Sequence, residues 1–272
     1  MSTSPILVPL DGSETARAAL PVAKILGQIA PAALRILHVA ESTPTDAELL
    51  GRLRLLSQDL HEATLDLRIG EPVAQILRFA EEIKPRGIVL CKHTGPAPRT
   101  TLGSTASGVL RDTLCPLVLV PPERGETPWH LHHILLPHDG TPRTSLGMRP
   151  AVELAECANA ELLLLHVADA NASPGEPGSL VPSPYIDQPQ HEWPAWTSEF
   201  VRRFASLCLV GQVHLRFRLT RGKPAAEILR LAQEQSADLV VLAWRGVLDA
   251  SRAAVLNELM SGVHCPLMVI RT

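Results

Sequence analysis

Aromatic side chains are nearly missing from this chain: Phe, Trp and Tyr make up 3% of its 272 residues. A core must therefore be assembled from Leu, Val, Ile and Ala. Cysteine is scarce too. Five residues, an odd number with no Cys-x-x-Cys pair, outline neither a disulfide framework nor a zinc ribbon. No run of about 18 uncharged apolar residues occurs, so no transmembrane helix is expected. The start, Met1-Ser2-Thr3-Ser4-Pro5, lacks the basic and long apolar regions of a secretory signal. A basic excess is also lacking. Lys and Arg number 25 against 28 Asp and Glu, a net charge of −3, which argues against a general nucleic-acid binder. The motifs Gly-x4-Gly-Lys-[Ser/Thr], Gly-x-Gly-x-x-Gly, Gly-x-Ser-x-Gly and His-Glu-x-x-His do not occur. Nor do the early acidic doublet and late lysine of a receiver domain. Disorder is excluded in turn by 46% apolar and 19% charged residues, enough to bury a core. The expectation is a soluble protein of a reducing, cytoplasmic compartment.

What is there is a repeat. Ile6-Leu7-Val8-Pro9-Leu10-Asp11-Gly12-Ser13 returns as Ile134-Leu135-Leu136-Pro137-His138-Asp139-Gly140-Thr141, offset by 128 (139 − 11). Leu37-His38-Val39 returns as Leu165-His166-Val167 at the same offset. Gly70-Glu71-Pro72 matches Gly222-Lys223-Pro224 at 152 (222 − 70), and Cys115-Pro116-Leu117 matches Cys265-Pro266-Leu267 at 150 (265 − 115). Four ordered matches divide the chain into two copies of one unit, 1–124 and 131–272. The jump from 128 to 152 locates an insertion at 171–194. Its six prolines and two glycines predict a loop.

Within each copy, short apolar runs alternate with stretches of helical period. Ile6–Leu10, Leu34–Val39, Thr64–Ile69, Gly87–Cys91 and Leu117–Val120 are predicted strands, unbroken in the manner of strands covered on both faces. Ala16–Ile29 and Val73–Ile83 are predicted helices. Ser13 and Thr141 stand at N-cap positions, with Pro142 expected at the first helical position. The alternation predicts a parallel, doubly wound α/β sheet of five strands per copy. Ligands of such sheets bind beyond the carboxyl ends of strands where the winding reverses. That brings the turn Asp11-Gly12-Ser13 opposite the loop 91–104.

These residues resemble the universal stress protein family, and the chain resembles a tandem two-domain member over nearly its whole length. The resemblance implies two Rossmann-like, adenine nucleotide alpha hydrolase-like sheets. Its ATP-binding members carry Gly-x2-Gly-x9-Gly-[Ser/Thr] after the fourth strand. Gly103-Ser104 supplies the closing pair here, Gly95 the second glycine, and Lys92 stands at the first. The loop is two residues short and carries Pro96 and Pro98. By the same resemblance the first copy would hold ATP, with or without Mg²⁺, through Pro9, Asp11, Val39, Lys92, Gly95, Gly103, Ser104 and Thr105. The basic stretch 83–111, with Lys84, Arg86, Lys92, Arg99 and Arg111 and no acid, suits a polyanion. In the second copy Ala253-Ala254 replaces Gly103-Ser104, so a degenerate site is expected there.

Each residue has a plainer role open to it. Ser104 could be an ordinary N-cap, Asp11 a turn residue, and the basic stretch a solvated face. His38 and His166 are expected to be hydrogen-bonded core histidines, Trp129–His133 a His-rich linker rather than a chelator, and Cys115 and Cys265 packing residues. Cys91 is the thiol nearest the loop. The resulting expectation is a nucleotide-binding regulatory protein of the stress response, not a fast enzyme, with slow ATP hydrolysis left open. The alternative is a nucleotide-free protein-interaction module. The resemblance further implies an internal pseudo-dimer through Leu117–Val120 and Leu267–Ile270, a homodimer being possible. Unknown protein partners are expected, and neither nucleic acid nor membrane.

Overall fold

The computed structural model describes residues 4–55, 63–92, 102–168, 213–244 and 253–272. The proline-rich insertion and Gly95 lie outside them. Two compact units emerge. One holds Met1–His130 together with Met260–Arg271; the other holds Leu131–Arg245 and Asp249–Leu259.

In the first unit the strands are β1 (Ile6–Pro9), β2 (Leu34–Ala40), β3 (Ala63–Ile69), β4 (Gly87–Cys91) and β5 (Leu117–Val120). They lie parallel in the order β3-β2-β1-β4-β5. Leu7, Ile36, Ile88 and Leu117 are fully buried, as unbroken apolar runs covered on both faces should be. Edge strand β3 is only half-buried and polar: Arg35 pairs with Asp66, Arg68 with Glu82, and both guanidinium groups lie over the Phe79 ring. Its described helices are α1 (Ala19–Ile29), α2 (Asp46–Leu53), α3 (Pro72–Ile83) and α4 (Ser104–Asp112).

The first predicted helix begins differently from expectation. Ser13 Oγ accepts from Ala16 N at 3.1 Å, as a cap would, but a 3₁₀ turn at Thr15–Ala18 precedes α1. Arg17 in that turn is buried. It pairs bidentately with Glu126 and donates to the carbonyls of Leu53 and Arg54, tying the turn, the end of α2 and the segment after β5.

In the second unit β6 (His133–Pro137), β7 (Glu161–Ala168), β8 (His214–Arg221) and β9 (Leu239–Trp244) run parallel in the order β9-β6-β7-β8. The helices α5 (Met148–Ala158) and α6 (Pro224–Glu234) accompany them. Pro142 falls in a turn ahead of a 3₁₀ segment, Thr144–Gly147, rather than at the start of α5.

The end of the chain departs from a division by repeat. Helix α7 (Ala254–Gly262) leads into β10 (Leu267–Arg271), the fifth strand of the second copy by sequence. β10 belongs to the first compact unit and pairs antiparallel with β5 through Leu267↔Leu119, Met268↔Val118 and Val269↔Leu117. Among the described residues the first unit thus has six strands, five parallel and one antiparallel. No helix among the described residues is long and apolar enough to cross a membrane.

Candidate functional site

The carboxyl ends of β1, β2 and β4 and the amino ends of α3 and α4 enclose a cleft of about 230 Å³ in the first unit. Pro9, Asp11, Val39, Lys92, Gly103, Ser104 and Thr105 all line it. Gly95, the eighth residue expected there, lies outside the described residues. Leu37, Ile76 and Leu90 give the cleft an apolar wall, and Cys91 borders it as a buried thiol.

Local chemistry explains each position. After β1 the chain reverses at Gly12, whose φ of +90° is a conformation that L side chains rarely adopt. A Cβ there would also stand 2.8 Å from Arg52 Cγ. Asp11 Oδ1 accepts from Ser13 N at 2.8 Å, an Asx turn, and the exposed carboxylate keeps its other oxygen. His38 donates Nδ1–H to Leu10 O at 2.8 Å and so fixes the end of β1 against β2. Its Nε2 is buried with no hydrogen-bond partner among the described residues.

Helix N-termini decide where an anion could sit, because their first amides have no partner within the helix. α2 is closed by a capping box between Thr45 and Glu48. α3 is closed by Glu71, whose carboxylate accepts from Val73 N at 3.0 Å and Ala74 N at 2.7 Å. Among the described residues α4 has no side-chain cap: Gly103 occupies the N-cap, and Ser104 is the first helical residue rather than the cap. The amides of Ser104, Thr105 and Ala106, without a partner among the described residues, therefore lie at residues that line the cleft.

Lys92 is tied at three points. Its N–H donates to Val120 O at 2.9 Å, and its carbonyl accepts from Gly103 N at 2.8 Å, closing the base of the loop between them. Its ammonium donates to Met260 O at 3.0 Å, at 5% residue exposure. Burial pushes its pKa down, and the Glu123 carboxylate partly opposes this.

In the second unit the turn after β6, 128 residues on, is hydrogen-bonded by its own polar groups. His138 stands where Leu10 does, Thr144 where Ala16 does, and Ser145 where Arg17 does. Asp139 Oδ1 accepts from Thr141 N at 2.9 Å and from Thr144 Oγ1 at 2.6 Å. Burial works against its charge, but these hydrogen bonds outweigh it and hold its pKa below the usual carboxylate range. His138 is buried, and burial pushes its pKa down to about 4. Gly140 N donates to its Nδ1 at 2.9 Å, so the neutral ring carries its proton on Nε2, 3.1 Å from Ser145 Oγ. The ring thus donates to Ser145 and cannot act as its base, so this Asp–His–Ser grouping is no catalytic triad. His166 donates Nδ1–H to His138 O at 2.8 Å, repeating the bond of His38. Trp244 stands where Lys92 does, with a buried indole N–H that has no partner among the described residues. Sequence reasoning did not single out His138, Thr144 or Ser145. The signal was present in the repeat, as polar residues replacing Leu10 and Ala16.

Elsewhere, Asp238 accepts from His132 N and His133 N within the second unit. Among the described residues no group of three or more His, Cys, Asp or Glu could hold a metal ion. Cys115 and Cys265 are half-buried rather than fully packed, and burial raises the Cys115 pKa.

Comparison with known proteins agrees with the duplicated architecture. A universal stress protein of Methanocaldococcus jannaschii is 23% identical over 145 residues, 51% of this chain and 81% of that protein. One of Mycobacterium tuberculosis is 28% identical over 167 residues, covering 58% of this chain and 51% of the relative. The crystal structure of a universal stress protein from Archaeoglobus fulgidus superposes with a TM-score of 0.70 at 16% identity, covering 100% of this chain and 99% of that one, a likeness of fold. The Universal stress protein family pattern matches twice, over residues 3–121 and again over 130–271. The chain is therefore a tandem member of the universal stress protein family.

Proposed function

We propose that the first unit binds an adenine nucleotide, ATP being the expected ligand, and that the protein is a nucleotide-responsive regulator of the stress response rather than a fast enzyme. One observation carries this reading: an uncapped helix N-terminus opens onto the same cleft as the Asp11 carboxylate and an apolar wall. Those three features match the three parts of the ligand. The Ser104–Ala106 amides suit phosphate. The second oxygen of Asp11 suits a ribose hydroxyl. Leu37, Val39, Ile76 and Leu90 suit the faces of a purine. Asp11 is the one carboxylate among the described lining residues, and it is already bonded to Ser13 N. Any Mg²⁺ would thus be held chiefly by the phosphates. The second unit has its counterpart carboxylate engaged by Thr141 and Thr144, which supports a structural role there.

A second reading, a nucleotide-free interaction module, is favoured by the Lys92 ammonium already resting on Met260 O. Thermal denaturation with millimolar ATP separates the two. Stabilisation of about 2.7 kcal/mol is expected at 100-fold excess over Kd. An unchanged melting curve would leave the interaction module. Mass spectrometry of the native protein for co-purified adenine nucleotide is the companion measurement.

A further inference from the structure

Lys92 is an unusual residue to bury. An ammonium has three N–H donors. Among the described residues this one makes a single hydrogen bond, to the uncharged carbonyl of Met260, while its residue lines the cleft at 5% exposure. A desolvated cation with one neutral acceptor is poorly compensated. A phosphate would be a better partner, because a hydrogen bond between two charged groups is roughly twice as strong as one between neutral groups.

The alternative acceptor is placed where the exchange would be felt. Met260 begins the segment Met260–Arg271, which the first unit holds in three ways. One is the ladder of β10 on β5. The second is Lys92 on Met260 O. The third is Arg271, whose Nη1 donates to Arg111 O at 2.9 Å, at the carboxyl end of α4. The opposite end of α4 opens on the cleft. The same C-terminal segment therefore grips both parts that build the anion end of the cleft, Lys92 and α4.

We propose that Lys92 is shared between two acceptors, the phosphate of a bound nucleotide and the carbonyl of Met260. It thereby selects charged over uncharged ligands and transmits occupancy of the cleft to Met260–Arg271. When the cleft is empty, the ammonium caps the last turn of α7. When a phosphate lies at the α4 amides, the ammonium turns to it and Met260 O loses its donor. Ligand binding and the hold on this segment then oppose one another, and by linkage loosening the segment tightens binding. This rests on the nucleotide reading of the cleft.

The test uses the full chain with adenosine, AMP and ATP as probes, by titration calorimetry and by hydrogen exchange of peptides covering residues 254–271. In the wild type AMP should bind about ten- to a hundredfold more tightly than adenosine, the worth of one or more charge-assisted hydrogen bonds. AMP but not adenosine should speed exchange in the last turn of α7. In Lys92→Met the AMP-to-adenosine ratio should fall by about tenfold or more, and exchange should be fast with or without ligand. Lys92→Gln, which keeps a donor for Met260 without the charge, should lose the ratio but retain slow exchange. An unchanged ratio in both variants, or exchange indifferent to AMP in the wild type, overturns the sharing of Lys92. Failure of all three probes to bind overturns the nucleotide reading instead.

Discussion

Replacing Ser104 by Asp should move stability and binding in opposite directions. Ser104 is exposed and is the first residue of α4, whose N-terminus has no side-chain cap. A carboxylate there meets unpaired amides and the positive end of the helix dipole, a gain of about 0.3–1 kcal/mol for an exposed group. In a unit of this size that raises the unfolding midpoint by roughly 1–4 °C. The same carboxylate occupies the position assigned to phosphate. A ligand then loses a charge-assisted hydrogen bond and gains a like charge nearby, so affinity for ATP should fall by about ten- to a hundredfold. Paired thermal melts without ligand and calorimetric titrations with ATP read both effects in one preparation. A lowered melting point would mean that the α4 amides are already satisfied. An unchanged Kd would mean that phosphate lies elsewhere. Either result refutes the reasoning, whereas a merely disruptive mutation would lower stability and affinity together.

Other perturbations bear on the two turns after β1 and β6. Gly12→Ala should destabilise by about 1–3 kcal/mol, from a positive φ and the close approach to Arg52, read as a lower denaturant midpoint. His138 binds a proton with a pKa of about 4 when folded, against about 6.5 when free. Its contribution to stability is therefore complete above about pH 6.5 and is lost as pH falls towards 4, since the unfolded chain takes up the proton first. His166, lowered in the same direction by burial, adds to that loss. Urea midpoints between pH 4 and 7 should fall with acidity in the wild type and fall less in His138→Leu, which restores the residue of the first repeat. Equal slopes would show that burial does not lower the His138 pKa.

Much of this arrangement was legible because the sequence says the same thing twice. The offset of 128 aligned Asp11 with Asp139 and His38 with His166, and the paired bonds to Leu10 O and His138 O are the structural form of that match. The unbroken strands could be read because parallel strands covered on both faces need no alternation. The 3₁₀ entry to α1 could not, since Ser13 offers the same cap to either kind of helix. The capping box at Thr45 and Glu48 was visible as Thr-x-x-Glu but was not singled out as marking α2. Lys92 was read as a site residue, but its ammonium's acceptor, Met260 O, is 168 residues away in sequence. No local pattern carries that information. The placement of β10 against β5 is equally non-local: repeat logic assigns that strand to the second copy, yet it pairs antiparallel with β5 and falls in the first compact unit.

The two copies also act as each other's control for what makes a site. Both keep the Asp-Gly turn, the histidine bond beneath it, and the Gly-x-Pro entry to a helix. Conserving these shows only that the fold needs them. What differs is where polar groups are left unanswered. In the second unit Thr144 answers Asp139, and Gly140 and Ser145 answer His138. In the first unit the equivalents of His138 and Thr144 are Leu10 and Ala16, which answer nothing. Asp11 accepts from Ser13 N alone, and among the described residues the cap given to α2 and α3 is not given to α4. Folding alone favours the second arrangement, because every capped amide and paired carboxylate adds stability. The first unit forgoes those gains at two neighbouring points around one cleft, the Asp11 carboxylate and the α4 amides, and a ligand able to answer both at once gives that pattern a physical reason.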